Sequence, residues 1–275
     1  MHLRVRDVDR AIGFYTEGLG LRLHGRVGDV ARLGAWTSEL LVLVGAPGAT
    51  KPRGTTGLYH FALLVPSRRD LARSLRHLIA KRVPLTGMSD HLVSESLYLS
   101  DPDGNGIEIY RDRPSEQWPV VAGLLRMTTD PLDVEGLLAE GGPMDAPQVG
   151  LPSGTRVGHV HLHVAHLADS ERFYSEILGF ELRQRFGRSA LFLAAGGYHH
   201  HIGLNTWAGV GAPPPPPGAV GLRHFEVLLP DAGTVDRILK RIREAGVPVA
   251  ETLGGGEAAD PSGNTVRLLA PPQSK

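Results

Sequence analysis

The residues of this chain best equipped for chemistry are its thirteen histidines, and they stand among 275 residues that include no cysteine. Without a thiolate, any bound metal must rest on His, Asp and Glu, and acid–base work near neutrality falls to imidazole. Three places draw attention. His60 lies in the stretch Tyr59-His60-Phe61, which reads as the start of a strand. Glu108 lies between Ile107 and Ile109, so on a strand its side chain points to the face opposite theirs. The run Tyr198-His199-His200-His201 is internal to the chain; on an extended strand His199 and His201 face one way and His200 the other. Each has a plain structural reading: a buried strand histidine, an outward-pointing glutamate, a polar rim.

The context of these residues is a duplication. DRAIGFYTEGLGLRL from Asp9 is answered by DSERFYSEILGFEL from Asp169, with Phe14-Tyr15 recurring as Phe173-Tyr174, 159 residues later. SDPDGNGIEIY (Ser100 to Tyr110) recurs as ADPSGNTVRLL (Ala259 to Leu269), and GLYHFALLVP (Gly57 to Pro66) as GLRHFEVLLP (Gly221 to Pro230). A duplicated chain keeps its scaffold in both copies, so the differences point at function. The DPxGN turn persists in both copies, but Glu108 is replaced by Arg267.

Each half divides again into two units, each opening with a short strand, passing through a helix and ending in strands closed by tight turns. In the first unit Leu3-Arg4-Val5 alternates as a half-buried strand does. Asp9 is expected to cap a helix carrying Ile12, Phe14, Tyr15 and Leu19, ended by Gly18 and Gly20. Strands are expected near 22–27, 30–36 and 39–44. The second unit runs from Tyr59 through a helix at 68–81 to a strand at Ile107-Glu108-Ile109; units three (156–207) and four (220–270) repeat the plan. The pattern is βαβββ four times over, an α+β arrangement with helices on one side of antiparallel-rich sheets. The expected domains are 1–112 (units one and two) and 154–275 (units three and four). They are joined by a Pro- and Gly-rich linker, 113–153, with a short helix from Val134 to Glu140. Pro213 to Pro217 reads as a stiff spacer.

Composition excludes several classes. A net charge of zero with no basic stripe argues against nucleic acid or an anionic membrane surface as partner. No apolar run approaches the ~20 residues of a membrane span, and charges from Arg4 onward are unlike a signal peptide. With no disulfide framework, the expected compartment is the cytoplasm.

The βαβββ units, with FY-x-x-x-LG after a helix start and DP-x-GN before a terminal strand, resemble the vicinal oxygen chelate superfamily. That superfamily includes glyoxalases, fosfomycin-resistance enzymes, bleomycin-binding proteins and extradiol ring-cleavage dioxygenases. The stretch GMSDHLVSESLYLSDPDGNGIE (Gly87 to Glu108) is similar to the extradiol dioxygenase signature through His91, Tyr98, Asp101-Pro102 and Glu108; Ser89 departs from it. With YHHHIGLN (Tyr198 to Asn205), the whole chain resembles the two-domain bacterial catechol 2,3-dioxygenases.

The resemblance implies two vicinal-oxygen-chelate domains, with metal ligands on the first and last strands of units that face each other. Pairing units in chain order leaves His60 and Glu108 in one site, and His159 and His224 beside Arg267 in the other. A His preceding Met1 would then be needed to complete the first. Pairing unit two with unit three assembles His60, Glu108 and His159, a two-His, one-carboxylate set that favours Fe(II) and accepts Mn(II). The resemblance further implies an acid–base histidine in the 198–201 run, His200 ahead of His199 and His201. It places His91 and Tyr98 where they hydrogen-bond dioxygen or substrate. The implied reactants are a small aromatic diol and O2, and a homo-oligomer is compatible because open sheets in this scaffold often close against a partner. His2, His163 and His166 read as surface or packing residues. Two rival functions share the scaffold. Glyoxalase-like isomerisation or thiol transfer on Ni, Zn or Mn calls for a second carboxylate where unit three carries its His run. A metal-free protein of the bleomycin-resistance type would sequester an aromatic ligand in the same cup.

Overall fold

The computed structural model describes residues 1–121, 123–142 and 150–271. Module one comprises β1 (His2–Val5), α1 (Val8–Gly13), β2 (Arg22–Val27), β3 (Val30–Ala35) and β4 (Ser38–Gly45). Module two comprises β5 (Gly57–Leu64), α2 (Arg68–Ala80), β6 (Leu85–Asp90), β7 (Ser94–Ser100) and β8 (Gly106–Asp112). The connecting segment holds three two-residue strands, β9 (Val120–Val121), β10 (Leu124–Leu125) and β11 (Asp130–Pro131), then α3 (Val134–Glu140). Module three has β12 (Arg156–His163), α4 (Leu167–Glu171), β13 (Glu181–Phe186), β14 (Ala190–Ala194) and β15 (Ile202–Asn205). Module four has β16 (Gly221–Leu228), α5 (Ala232–Glu244), β17 (Ala250–Thr252), β18 (Gly255–Ala259) and β19 (Thr265–Leu269). The fold is α+β with four βαβββ modules, as the repeat predicts.

Local chemistry sets the helix starts. Ser67 and Asp231 accept the backbone N–H groups of Asp70 and Thr234, satisfying donors that a helix start leaves unpaired. The cap of α1 is Asp7, which accepts from Arg10 N, and not Asp9 as the sequence suggested. Asp9 sits in the first turn, where the positive helix end favours a carboxylate, and pairs with Arg26. Both FY motifs leave the α-helical path through a wider π turn, Phe14–Gly18 and Arg172–Ile177, closed by Leu19 N to Phe14 O and Leu178 N to Phe173 O. Gly20 follows at φ +87°, and a Cβ there would lie 2.8 Å from Gly150 Cα, so only glycine fits.

The strands divide their residues between two faces. Phe61, Leu63 and Val65 of module two join Ile107 and Ile109 in a core shared with Leu71, Leu75 and Leu78 of α2. The alternate positions, His60, Ala62, Glu108 and Tyr110, turn to the opposite, concave face.

Sheet topology crosses the sequence halves. Modules one and four form an eight-stranded sheet, β17-β18-β19-β16-β1-β4-β3-β2. Modules two and three, with β11, form a nine-stranded sheet, β11-β6-β7-β8-β5-β12-β15-β14-β13. The joins are equivalent: β1 runs antiparallel to β16 with His2 opposite His224, and β5 runs antiparallel to β12 with His60 opposite His161. Module two therefore pairs with module three, and the outer modules pair with each other.

The two modules of each sequence half thus lie in different sheets, and the two duplicated motifs tie them together. The Tyr15 hydroxyl donates to Asp101 Oδ2 at 2.9 Å, and Tyr174 repeats the bond to Asp260 at 3.1 Å. Asp101 also accepts from Asp103 N, Asn105 N and Asn105 Nδ2, the bonds that shape the DPDGN turn. Among the described residues, no helix is long and apolar enough to cross a membrane. Because Tyr15 donates to a buried carboxylate, Tyr15→Phe is expected to cost about 1.5–3 kcal/mol, read as a lowered urea midpoint with unchanged slope. An unshifted midpoint would show that the tie between sheets carries no stability.

Candidate metal centre and cavity

The β5–β12 join creates the site. His60 on β5, Glu108 on the neighbouring β8 and His159 on β12 are each at least 94 % buried. His159 Nε2 lies 3.0 Å from Glu108 Oε2 in hydrogen-bond geometry, and Ser96 donates to Glu108 Oε1 at 2.6 Å. His60 Nε2 comes within 3.0 Å of the same Oε2, yet its alignment makes no hydrogen bond and it has no other partner among the described residues. The three ligand atoms lie within 4.8 Å of one another.

Electrostatics matches that geometry. Burial alone would raise the Glu108 carboxyl, but the rings of His159 and His60 outweigh it and hold it well below the usual carboxylate range. Burial lowers His159 to about 4, against the pull of Glu108. A neutral His159 and an ionised Glu108 are the protonation states in which these two groups donate lone pairs to a cation. The orphaned His60 nitrogen aimed at the shared oxygen fits a metal between them, since a buried polar atom without a partner costs stability unless something takes it.

The centre opens into a cavity of about 750 Å³ whose walls include Tyr59, His91, Tyr98, His161, His163, Phe192, His200 and Trp207. His91 and Tyr98 are brought together on this wall. Tyr98 and His91 Nε2 are 2.6 Å apart, and His91 Nδ1 lies 2.6 Å from Thr128 O. The carbonyl takes the proton on Nδ1, so Nε2 accepts from the Tyr98 hydroxyl. Burial, helped by Glu108, holds the Tyr98 phenol well above its ordinary value, so it stays a donor.

The histidine run is not the extended strand the alternation suggested. Residues 198–201 form a bend before β15, and neighbouring rings meet: His199 Nδ1 lies 2.7 Å from His200 Nδ1. Only His200 of the three faces the cavity. His199 is fully buried and its Nε2 donates to Asp112 Oδ1 at 2.8 Å, while His201 Nδ1 accepts from Ala195 N. The order Asp112, His199, His200 then fixes tautomers: His199 donates through Nε2, accepts through Nδ1, and leaves the His200 Nε2 lone pair toward the cavity. Burial, with the neighbouring rings of His159 and His199, lowers His200 well below its ordinary value, so it is neutral.

Several participants escaped the sequence reading. Asp112 also accepts from the Tyr198 hydroxyl, which in turn accepts from Tyr110 at 2.8 Å. His163, read as surface or packing, lines the cavity with Nδ1 2.7 Å from Asn205 Oδ1. His161 is buried in the same wall with an unpartnered Nε2. The connecting segment is also part of the wall: Leu125 and Met127 pack with Val93, against Trp118 and Phe192, and the Gln184 side chain binds both Met127 N and O. The bonding order of Asp112 and the position of Thr128 have no short-range signal, since their partners lie 37 to 87 residues away. The signal that could have found His161 is its alternation with His159 on β12.

Gly158 allows the network to close. A Cβ there would lie 1.9 Å from the Tyr110 hydroxyl oxygen and 2.8 Å from Tyr110 Cζ. Gly158→Ala is therefore expected to destabilise by about 1–3 kcal/mol in urea unfolding, and Tyr110→Phe in that background to recover part of the loss. Full additivity of the two substitutions would show that they do not collide.

The sequence and the fold both have counterparts. A sequence model described as Glyoxalase/Bleomycin resistance protein/Dioxygenase superfamily matches residues 1–109 and 156–268. The chain is 44% identical over 264 residues to the catechol-2,3-dioxygenase of Bacillus subtilis (strain 168), covering 94% of this chain and 92% of that one. It is 31% identical over 116 residues to biphenyl-2,3-diol 1,2-dioxygenase 2 of Rhodococcus globerulus, covering 38% of this chain and 61% of that one. In fold it superposes on glyoxalase I from Zea mays with a TM-score of 0.59 at 20% identity, over 98% of this chain and 90% of that one. With four modules of the expected kind and a family match across both halves, the chain belongs to the Glyoxalase/Bleomycin resistance protein/Dioxygenase superfamily.

Proposed function

We propose that the protein is an Fe(II)-dependent extradiol dioxygenase that opens a catechol-type ring beside its two hydroxyls. The observation that carries the reading is the convergence of His60, Glu108 and His159 on one point of a buried cup, with His60 Nε2 left without a partner. The name of the B. subtilis relative supports the same chemistry. The two-imidazole, one-carboxylate donor set favours Fe(II), with Mn(II) accepted by the same groups. His60, Glu108 and His159 would hold a divalent metal there, and it would supply positive charge that favours an ionised diol.

The remaining work belongs to the protein. Tyr59, Phe192 and Trp207 offer aromatic surface for a flat ring, and with the connecting segment they keep water from the reacting face. His200, with its lone pair toward the cavity, takes a diol proton; Asp112 and His199 hold its tautomer. His91 fixes the Tyr98 hydroxyl beside the centre, so dioxygen and diol are held adjacent instead of meeting by diffusion. One ring carbon–carbon bond breaks and both atoms of O2 are retained in the product, so no external reductant is required.

Purified without oxygen and supplied with Fe(II), the protein is expected to hold iron at this centre and to turn catechol and O2 into a yellow ring-opened product. His60→Ala, Glu108→Ala and His159→Ala should each abolish the colour and the iron at this centre; full iron and activity in His159→Ala would refute the pairing of modules two and three as the site. His200→Gln is expected to lower kcat by about 10²–10⁴-fold with iron retained, as loss of a proton-transfer group does. Asp112→Asn, which frees His199 to present the wrong tautomer, should cost about 10–100-fold, also with iron retained. Tight binding of aromatics without metal or turnover would instead identify a sequestering protein.

A further inference from the structure

The outer sheet holds a second convergence of ligand-type side chains. At the β1–β16 join, the rings of His2 and His224 stack with centroids 4.0 Å apart. Glu226, two residues beyond His224 and so on the same face of β16, places Oε1 3.3 Å from His2 Nε2 and 3.7 Å from His224 Nε2. One donor atom from each lies within 4.8 Å of the other two, a separation a single ion spans.

This group is not a copy of the inner centre. In the inner sheet Glu108 on β8 stands beside Ala62 on β5. In the outer sheet the same two positions hold Arg267 on β19 and Glu226 on β16. The carboxylate has moved one strand across, and His2 corresponds by register to His161, not to the inner ligand His159. Two observations favour an ion there over a plain ionic cluster. The side chain of His224 is 96 % buried, yet its Nε2 has no hydrogen-bond partner among the described residues. The Arg267 guanidinium forms an ion pair with Glu226 at 3.7 Å but lies closer to Glu257, at 2.8 Å, which takes the larger share of its charge. His2 and Glu226 keep 16 % and 29 % of their side-chain surface open, a route by which an ion arrives and retains water.

We propose that His2, His224 and Glu226 bind a second divalent ion of the imidazole-preferring class, Zn(II) being the probe, which clamps the first strand of the chain to its last module. The site stands apart from the inner cavity, whose walls include none of the three residues.

The test is a metal count on full-length protein, stripped with a chelator, incubated with Zn(II) and freed of loosely held ion by gel filtration. Wild type is expected to retain two ions per chain, and Glu226→Gln and His60→Ala one each. Zn(II) should raise the melting temperature of His60→Ala but not of His60→Ala combined with Glu226→Gln. His2→Asn, at a partly open position, should lose the same ion as Glu226→Gln while keeping a native circular dichroism spectrum. Loaded with Fe(II), Glu226→Gln should retain catechol turnover. One ion in wild type, two in Glu226→Gln, or none in His60→Ala overturns the proposal. Two ions in His60→Ala with one in Glu226→Gln would refute the inner centre and leave the outer one standing.

Discussion

The antiparallel pairing of β5 with β12 is the constraint on which the rest depends. A single βαβββ module leaves the edge of its first strand unpaired, with a row of unmet N–H and C=O groups. Pairing that edge with an equivalent edge closes it, and in doing so sets the concave faces of two modules side by side. His60 and Glu108 come from one module and His159 from the other, so their meeting follows from register. A slip of one residue would turn β12's ligand away from the cup, because successive side chains face opposite ways.

A carboxylate as buried as Glu108 is tolerable only when its charge is answered. The Ser96 hydroxyl and the His159 ring answer part of it, and His60 completes the ring of donors. Around this point the polar groups fall into two chains that end in the cavity: Thr128, His91, Tyr98 on one side and Asp112, His199, His200 on the other. Each is anchored at its far end by an acceptor, a carbonyl or a carboxylate. An anchored acceptor removes the freedom of an imidazole to choose its tautomer, which is what a proton-handling group requires. The segment that joins the sequence halves supplies Thr128 and wall residues, so it acts as part of the cavity and not only as a spacer.

The duplication uses one scaffold twice with different side chains. Both copies keep the Tyr-to-Asp bond that fastens one sheet to the other, Tyr15 to Asp101 and Tyr174 to Asp260. Both keep a His–His pairing at the module join. What differs is the carboxylate: on β8 in the inner sheet, on β16 in the outer, with Arg267 at the position Glu108 holds. Deep burial and an adjoining cavity go with the first arrangement, partial exposure with the second.

By itself, the sequence determined the four modules, the long helix of module two and the DPxGN turns, and the residue types offered to a metal. These are set by short-range patterns: alternation in strands, capping side chains, and an internal repeat that marks Glu108 against Arg267. It erred by two residues at the α1 cap, because Asp7 and Asp9 both suit a helix start and only backbone geometry separates them. It misread 198–201 as a strand, because a bend preceded by two glycines at positive φ has no periodicity to reveal it. Which histidines share a cavity, which acceptor fixes each tautomer, and that Glu226 rather than Arg267 faces His2 were decided only by tertiary structure. The physical reason is sequence separation: each of those relations joins strands or loops that meet only after the module edges have paired.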